Sequence, residues 1–482
     1  MANMYLEGNY RPVDVETTAF DLAVTGTIPD HLDGRYLRNG PNPIAEVDPE
    51  AYHWFAGDGM VHGVRLRDGR AEWYRNRWVR SPANGGPQIR PGMNSSGANT
   101  NVIGHAGRTY ALVEGGPTCY ELDDELDTVG ACDFDGTLPG GYTAHPKRDP
   151  ATGELHAVSY FFGWGNQVRY TVVDPLGRIR RQVDVTVGGS PMMHDFSLTE
   201  NHVVFYDLPV TFDTRIASRP VPWPIRPLAR LVLSALIGRV RIPDPVAVSM
   251  SSRPAGKGSG RAVTTSYGEP PYRWNPSYPA RIGVLPREGD AKDVRWFEID
   301  PCFVFHPLNA YEDGDTIVLD VVRHPRVFDA NRHGPGEGPP TLDRWEVDLT
   351  SDKVRQSRTD DRAQEYPRVD ERLVGRRHRY GYSASFDVDT REGTLLKHDF
   401  GAGTSQVRGF GKGAQASEFV FHPSSPDAPE DDGVLMGYVF DPEADRSDLM
   451  ILDAQTLDTV AAVHLPARVP QGFHGNWVPT GS

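Results

Sequence analysis

Short alternating strands recur along the whole chain, separated by tight turns. GRYLRNG, TYALVEGG, ELHAVSYFF, QVRYTVVD, HVVFYDLPV, TIVLDVVRH, LDRWEVDL and VLMGYVFD are the clearest. Period-two alternation turns one face of a strand toward a core and the other outward. In MVHGVRLRDGRAEWYRNRWV, Asp68-Gly69 joins two such arms and supplies the residue pair that a two-residue hairpin turn needs. The 50 Gly and 41 Pro among 482 residues are high for a helical protein and fit many short strands joined by turns. The predicted class is all-β.

Four segments end a strand on Asp and run into a turn: TVVDPLGRI at Asp174, WEVDLTSDKV at Asp348, SFDVDTREG at Asp389 and LMILDAQTL at Asp453. Such punctuation suits the outer part of a propeller blade. The repeat is loose, so spacing ranks a β-propeller above a sandwich or a multi-sheet protein without deciding among them. No linker divides the chain, which reads as one domain over residues 1–482. Asn331–Pro340 and Ser424–Gly433, rich in Gly, Pro and acids, read as surface loops. The glycine-rich Ala255–Arg261 lacks the full spacing of a phosphate-binding loop.

Lys and Arg total 50 against 65 Asp and Glu, a formal charge of −15. Repulsion from phosphate argues against nucleic acid as a partner. Cys119, Cys132 and Cys302 form neither a disulfide scaffold nor a zinc knuckle. With an N-terminus that lacks a secretory pattern, this predicts a reduced, cytoplasmic protein with no obligate protein partner evident. No apolar run approaches the roughly 20 residues that cross a bilayer. The nearest is Ile225 to Ile237, where Leu228, Leu231, Val232, Ala235 and Leu236 follow helical offsets among Arg226, Arg230, Arg239 and Arg241. One reading is a surface helix packed on the core. The other is a peripheral membrane contact, with Leu228, Leu231, Val232 and Leu236 facing lipid and the arginines at the headgroups.

Four of the 16 histidines share a local setting, each at the edge of an apolar or aromatic strand and next to Pro, Asp or Gly. They are His145 in GGYTAHPKRD, His194 in PMMHDFSLT, His306 in CFVFHPLNAYE and His474 in PQGFHGNWVP. They stand far apart in the chain, so only a closed, repeating fold could converge them. Four neutral imidazoles suit a borderline divalent ion. Histidine also caps strands, bonds in cores and decorates surfaces, so residue type alone leaves these readings open.

Further motifs follow in a fixed order: GTIPDHLDGRYLRNGPNP near the start, then HWFAGDGMVHGV, ALVEGG, RIGVLPR, FHPLNAYEDGD, EYPRVDERLVGRRHRYGY and finally GFHGNW. From Pro29 to Trp477 this set resembles the carotenoid cleavage oxygenases, the family that includes apocarotenoid and stilbene cleavage dioxygenases and the retinal-epithelium isomerase. The resemblance implies a seven-bladed β-propeller, with a dome of loops and helix over an axial iron. It also implies one Fe(II) per chain on His145, His194, His306 and His474, with Glu114, Glu365 and Glu418 orienting histidines from behind. A carboxylate there fixes the tautomer and raises ligand basicity. Two departures bear on the cavity: Val113 stands where the family often has Trp, and Phe419 follows Ser417-Glu418 where Pro is usual.

The implied reaction adds O2 across a conjugated carbon–carbon double bond and releases two carbonyl products, with no protein acid or base required. Within the family, stilbene-cleaving enzymes look as though they hold the substrate phenol through a Lys before the first glutamate. Val113 occupies that position, so the expected substrate is an apolar carotenoid or apocarotenoid, with a stilbenoid or related phenylpropanoid as the alternative. Polyene isomerisation at the same iron and a non-catalytic propeller that binds proteins are the remaining readings.

Overall fold

In the computed structural model, which describes residues 3–81, 97–116, 119–138, 141–219, 221–243, 268–331, 333–334, 336–386 and 392–481, the Asp68-Gly69 turn forms as the sequence requires. Both residues take left-handed φ, 49° and 66°, and close the hairpin between Gly59–Arg67 and Arg70–Trp78. Seven sheets of four or more strands repeat this antiparallel pattern and form a seven-bladed β-propeller. Within a blade the chain runs from the axis outward. The first strands of neighbouring blades, such as Phe196–Leu198, Phe303–Asp313 and Gln364–Arg368, touch one another around the centre.

The ring is stitched at both ends of the chain. Gly475–Pro479 pairs antiparallel with Gly34–Pro41 in the first blade, and Val24–Gly26 pairs with Thr459–His464 in the last. Closure of this kind leaves no open sheet edge between first and last blades. The aspartate turns explain the loose repeat. Asp174 accepts from the backbone N–H groups of Leu176 and Arg178, Asp348 from those of Thr350 and Ser351, and Asp453 from those of Gln455 and Thr456. Each carboxylate satisfies turn donors that no strand partner reaches. Asp389 and Ala255–Arg261 lie outside the described residues.

Apolar side chains fill the wedges between blades. Val158 and Tyr170, Val204 and Ile282, and Leu319 and Trp345 come from three successive blades and share one buried cluster. Ser424–Gly433 is more than a surface loop, because its Asp431 is buried against the buried ammonium of Lys397. Lys397 also donates to the Ala454 and Gln455 carbonyls.

The fourth blade carries an insertion between His202–Asp207 and Arg281–Pro286. It contains the paired strands Val210–Phe212 and Tyr272–Trp274, and the helices α1 (Thr214–Ala217) and α2 (Arg226–Leu236). Leu233, Leu236 and Ile237 pack α2 against Phe161, Phe162, Trp164 and Ile242. Leu228, Leu231 and Val232 stay 63%, 68% and 48% exposed. The apolar stripe read from the sequence is therefore divided: Leu236 turns inward with Leu233, which was outside the stripe, and the other three leave the surface. Among the described residues no helix is long and apolar enough to cross a membrane.

Candidate metal centre

Each of the four histidines stands at or just ahead of the first strand of a different blade. His145 precedes Lys147–Arg148, His194 precedes Phe196–Leu198, His306 lies within Phe303–Asp313 and His474 precedes Gly475–Pro479. Those strand ends converge on the axis, so residues distant in sequence meet. Ring centroids are 4.3 Å apart for His145 and His194, 4.8 Å for His145 and His474, and 4.6 Å for His306 and His474. All four side chains are buried. His306 owes its aim to a break in strand register on both sides of Pro307, a residue with no N–H to give the ladder.

The three glutamates stand behind three of these rings. His194 Nδ1 lies 2.7 Å from Glu114, His306 Nδ1 2.6 Å from Glu365 and His474 Nδ1 3.0 Å from Glu418. Their remaining oxygens are anchored differently. Glu418 accepts from the Gly475 N–H at 2.7 Å and lies 3.6 Å from Arg368. Glu365 accepts from His324 Nε2 at 2.7 Å and from the Tyr366 N–H at 2.6 Å. Glu114 instead has the buried Tyr160 hydroxyl beside its carboxylate. Glu114 opens a sharp turn through Gly115 and Gly116, and a Cβ on Gly116 would fall 2.4 Å from the Phe161 ring. Tyr366 sits at φ 55° beside a register shift, a backbone strain of about 1–3 kcal/mol that the surrounding structure holds in place.

A carboxylate is an acceptor, so His194, His306 and His474 each donate Nδ1–H, and in the neutral, metal-binding form each leaves Nε2 as a bare lone pair. Those lone pairs face one another: His306 Nε2 is 3.2 Å from His194 Nε2 and 3.0 Å from His474 Nε2. His145 Nε2 is buried with no hydrogen-bond partner. Converging lone pairs repel unless a cation lies between them, and nitrogen atoms of His145, His194 and His306 are all close enough together to share one. Donors at about 2.1 Å from a common ion would be about 3.0 Å apart at a right angle and about 3.4 Å apart at the tetrahedral angle. The 3.0 Å spacing matches the right angle, and the 3.2 Å spacing lies between the two. This donor set fits a divalent first-row ion with room for further ligands.

The electrostatics agree. Burial, reinforced by the other three imidazoles and Lys147, pushes His145 well below the usual histidine range. Burial also lowers His306, against the pull of Glu365. At His194 burial opposes charge, but Glu114, Asp195 and Glu365 outweigh it and raise the pKa. Burial disfavours the carboxylate of Glu365, yet His306 and His324 hold it well below its ordinary range. Glu418 is lowered too, with His474 and Arg368 overcoming burial. Burial thus favours the neutral form of His145 and His306, while Glu365 and Glu418 stay ionised behind the centre.

The model for the retinal pigment epithelial membrane protein family, RPE65, matches residues 10–479. The chain belongs to this family. A carotenoid cleavage oxygenase of Mycobacterium tuberculosis is 56% identical over 99% of this chain and 98% of its own length. An isoeugenol monooxygenase of Pseudomonas putida is 30% identical over 98% and 97%. Among solved structures, the lignostilbene dioxygenase of Pseudomonas brassicacearum superposes with a TM-score of 0.79 at 26% identity, and a cobalt-substituted Synechocystis ACO with 0.78 at 27%; both cover 98% of each chain. The chain is a dioxygenase-type enzyme of the carotenoid cleavage oxygenase family, whose chemistry depends on non-haem iron.

Carotenoid cleavage oxygenase motifs led to the seven residues around the axis, but not to the groups that brace them. His324, Tyr366 and Arg368 have no local signal that separates them from other polar residues, although the last two lie inside EYPRVD. Lys147, the cation nearest a site histidine in sequence, is 3.0 Å from Asp195 and lies over the Phe196 ring.

Proposed function

We propose that His145, His194, His306 and His474 hold one Fe(II), and that the enzyme cleaves a conjugated double bond of a carotenoid or apocarotenoid. The observation that carries the metal assignment is the convergence of the Nε2 atoms of His194, His306 and His474, each backed by a carboxylate on Nδ1, with His145 beside them. Bound iron supplies the electrons that let O2 react with a closed-shell alkene. The chain's own part is to position one double bond, keep the imidazoles in the binding tautomer and exclude water. One carbon–carbon double bond and the O–O bond break, two C=O bonds form, and each carbonyl product takes one oxygen atom.

Aromatic packing beside Glu114 supports the substrate class. The Tyr160 hydroxyl flanks Gly115, next to Glu114, and a run of packed rings continues from it: Tyr160 to Tyr272 at 5.7 Å, Tyr272 to Phe212 at 5.8 Å, Phe212 to Phe162 at 5.0 Å and Phe162 to Phe161 at 4.6 Å. This aromatic run ends beneath α2. Val113 packs among apolar residues of two clusters, and Lys147 is committed to Asp195, so neither places a cation for a phenolate beside Glu114. An assay with β-carotene, two apocarotenals of different length, resveratrol and isoeugenol, first anaerobic and then with O2, tests this reading. We expect aldehydes from at least one polyene, only with O2; cleavage of resveratrol alone would replace the carotenoid by a stilbenoid.

The exposed face of α2 supports peripheral contact with a membrane. Leu228, Leu231 and Val232 lie open beside the end of the aromatic run, where a substrate insoluble in water would arrive from lipid.

A further inference from the structure

A groove of about 470 Å³ runs between α1 and α2, lined by Arg215, Ser218, Arg219, Arg226, Arg230 and Ser234 together with Leu231. From Thr214 to Pro243 the sequence has six Arg and no Asp or Glu, within a chain of net charge −15. Part of that charge is already answered, since Arg215 pairs with Asp213 at 2.7 Å and Arg219 with Glu269 at 2.5 Å. Among the described residues Arg226 donates to the backbone carbonyls of Val221 and Arg219 and makes no ion pair, which leaves its charge unbalanced there. Among the described residues Arg230 makes no ion pair or hydrogen bond. Two uncompensated guanidiniums and two hydroxyls beside an exposed apolar face match a phosphate at a bilayer surface.

We propose that this groove receives the phosphate of an anionic phospholipid headgroup, so that the enzyme docks selectively on anionic bilayers. The proposal rests on the membrane reading above and names its partner. The test is flotation of the full chain with vesicles of phosphatidylcholine alone or mixed with phosphatidylglycerol. Wild type should prefer the anionic vesicles by at least tenfold, and salt should erase the preference. A surface arginine near anionic lipid is worth roughly fivefold in partition. Arg230→Gln should therefore cost roughly fivefold on anionic vesicles and Arg230→Glu more, with binding to phosphatidylcholine unchanged. Equal binding of wild type to both vesicles overturns the headgroup site and leaves membrane contact standing. Binding to neither overturns both. Displacement by millimolar inorganic phosphate at constant ionic strength would make the groove a site for free phosphate and overturn the lipid assignment.

A second inference rests on a different observation. His324 is buried, donates Nε2–H to Glu365 at 2.7 Å and meets the Phe305 ring edge-on, while its Nδ1 has no partner. Glu365 thus bridges two imidazoles, one at the axis and one behind it. The geometry points to His324 as a positioning residue that stops the Glu365 carboxylate from rotating away from His306. The test is Co(II) affinity and the Co(II) absorption spectrum of metal-free protein reloaded after substitution. His324→Phe, which keeps an aromatic ring and removes the donor, should weaken Co(II) binding roughly 10–100-fold and shift the spectrum. His324→Gln, which restores a donor, should recover most of both; if the Phe variant does not fold, His324→Met takes its place. In a Glu365→Gln background the donor-less change should add little, because the two residues act as one unit. Wild-type Co(II) binding in the donor-less variant, or full additivity with Glu365→Gln, overturns the proposal.

Discussion

The axial centre and the α1–α2 insertion face opposite problems. At the axis, four imidazoles and three carboxylates are held by strands whose registers break where a side chain must turn, at His306-Pro307 and at Glu365-Tyr366. Most polar atoms there have a partner, and the histidine Nε2 atoms converge on one another. On α2, Leu228, Leu231 and Val232 are exposed, and Arg230 has no counter-charge among the described residues. On the proposed function, one region awaits an ion and the other a surface. Substitutions should therefore act differently: at the axis they should change metal binding without regard to vesicles, and on α2 the reverse.

The sharpest way to break that contrast is to remove a ligand. His306→Ala or His474→Ala should abolish iron retention and turnover, since each deletes one of the converging nitrogens; elemental analysis and product formation read both. Full activity in either variant would mean that the axis is not the reacting centre.

Much of this was legible in the sequence, for identifiable reasons. The Asp68-Gly69 turn and the aspartates at 174, 348 and 453 act through bonds to near neighbours, so local sequence reports them. The count of seven blades was not legible locally, because closure depends on Gly475–Pro479 meeting Gly34–Pro41 across the whole chain. The histidines and glutamates were readable only through ordered family motifs. His324 joins Glu365 across two blades and has no spacing to report it. On α2 the helical offsets found the right segment but assigned Leu236 to the wrong side. Periodicity marks a stripe without saying which part of it meets Phe161 and Trp164.

A smaller effect should follow at the carboxylates. Glu114→Gln, Glu365→Gln and Glu418→Gln should each cost roughly 10–100-fold in activity or metal affinity, with the fold intact. Each puts a neutral amide, able to donate, where an anion enforces the tautomer. Kinetics together with metal titration would check this, and wild-type values for all three would separate the glutamates from the centre. Glu365 should be the most sensitive, because it braces two histidines where Glu114 braces one.

The smallest change in the purified enzyme is expected on α2. Leu228→Ser with Leu231→Ser should leave stability within about 0.5 kcal/mol, as for exposed positions generally. The same pair should weaken liposome pelleting and lower turnover of substrate dispersed in membranes. Unchanged pelleting would return α2 to the status of an ordinary surface helix, and the contrast between the two regions would lose its second half.

The central claim is that the four converging histidines hold iron. Its most direct test is the metal content of protein isolated under reducing conditions, measured beside His306→Ala. The account predicts close to one iron per chain in the wild type and none in the variant. Zinc in the wild type, or iron retained by the variant, would contradict it.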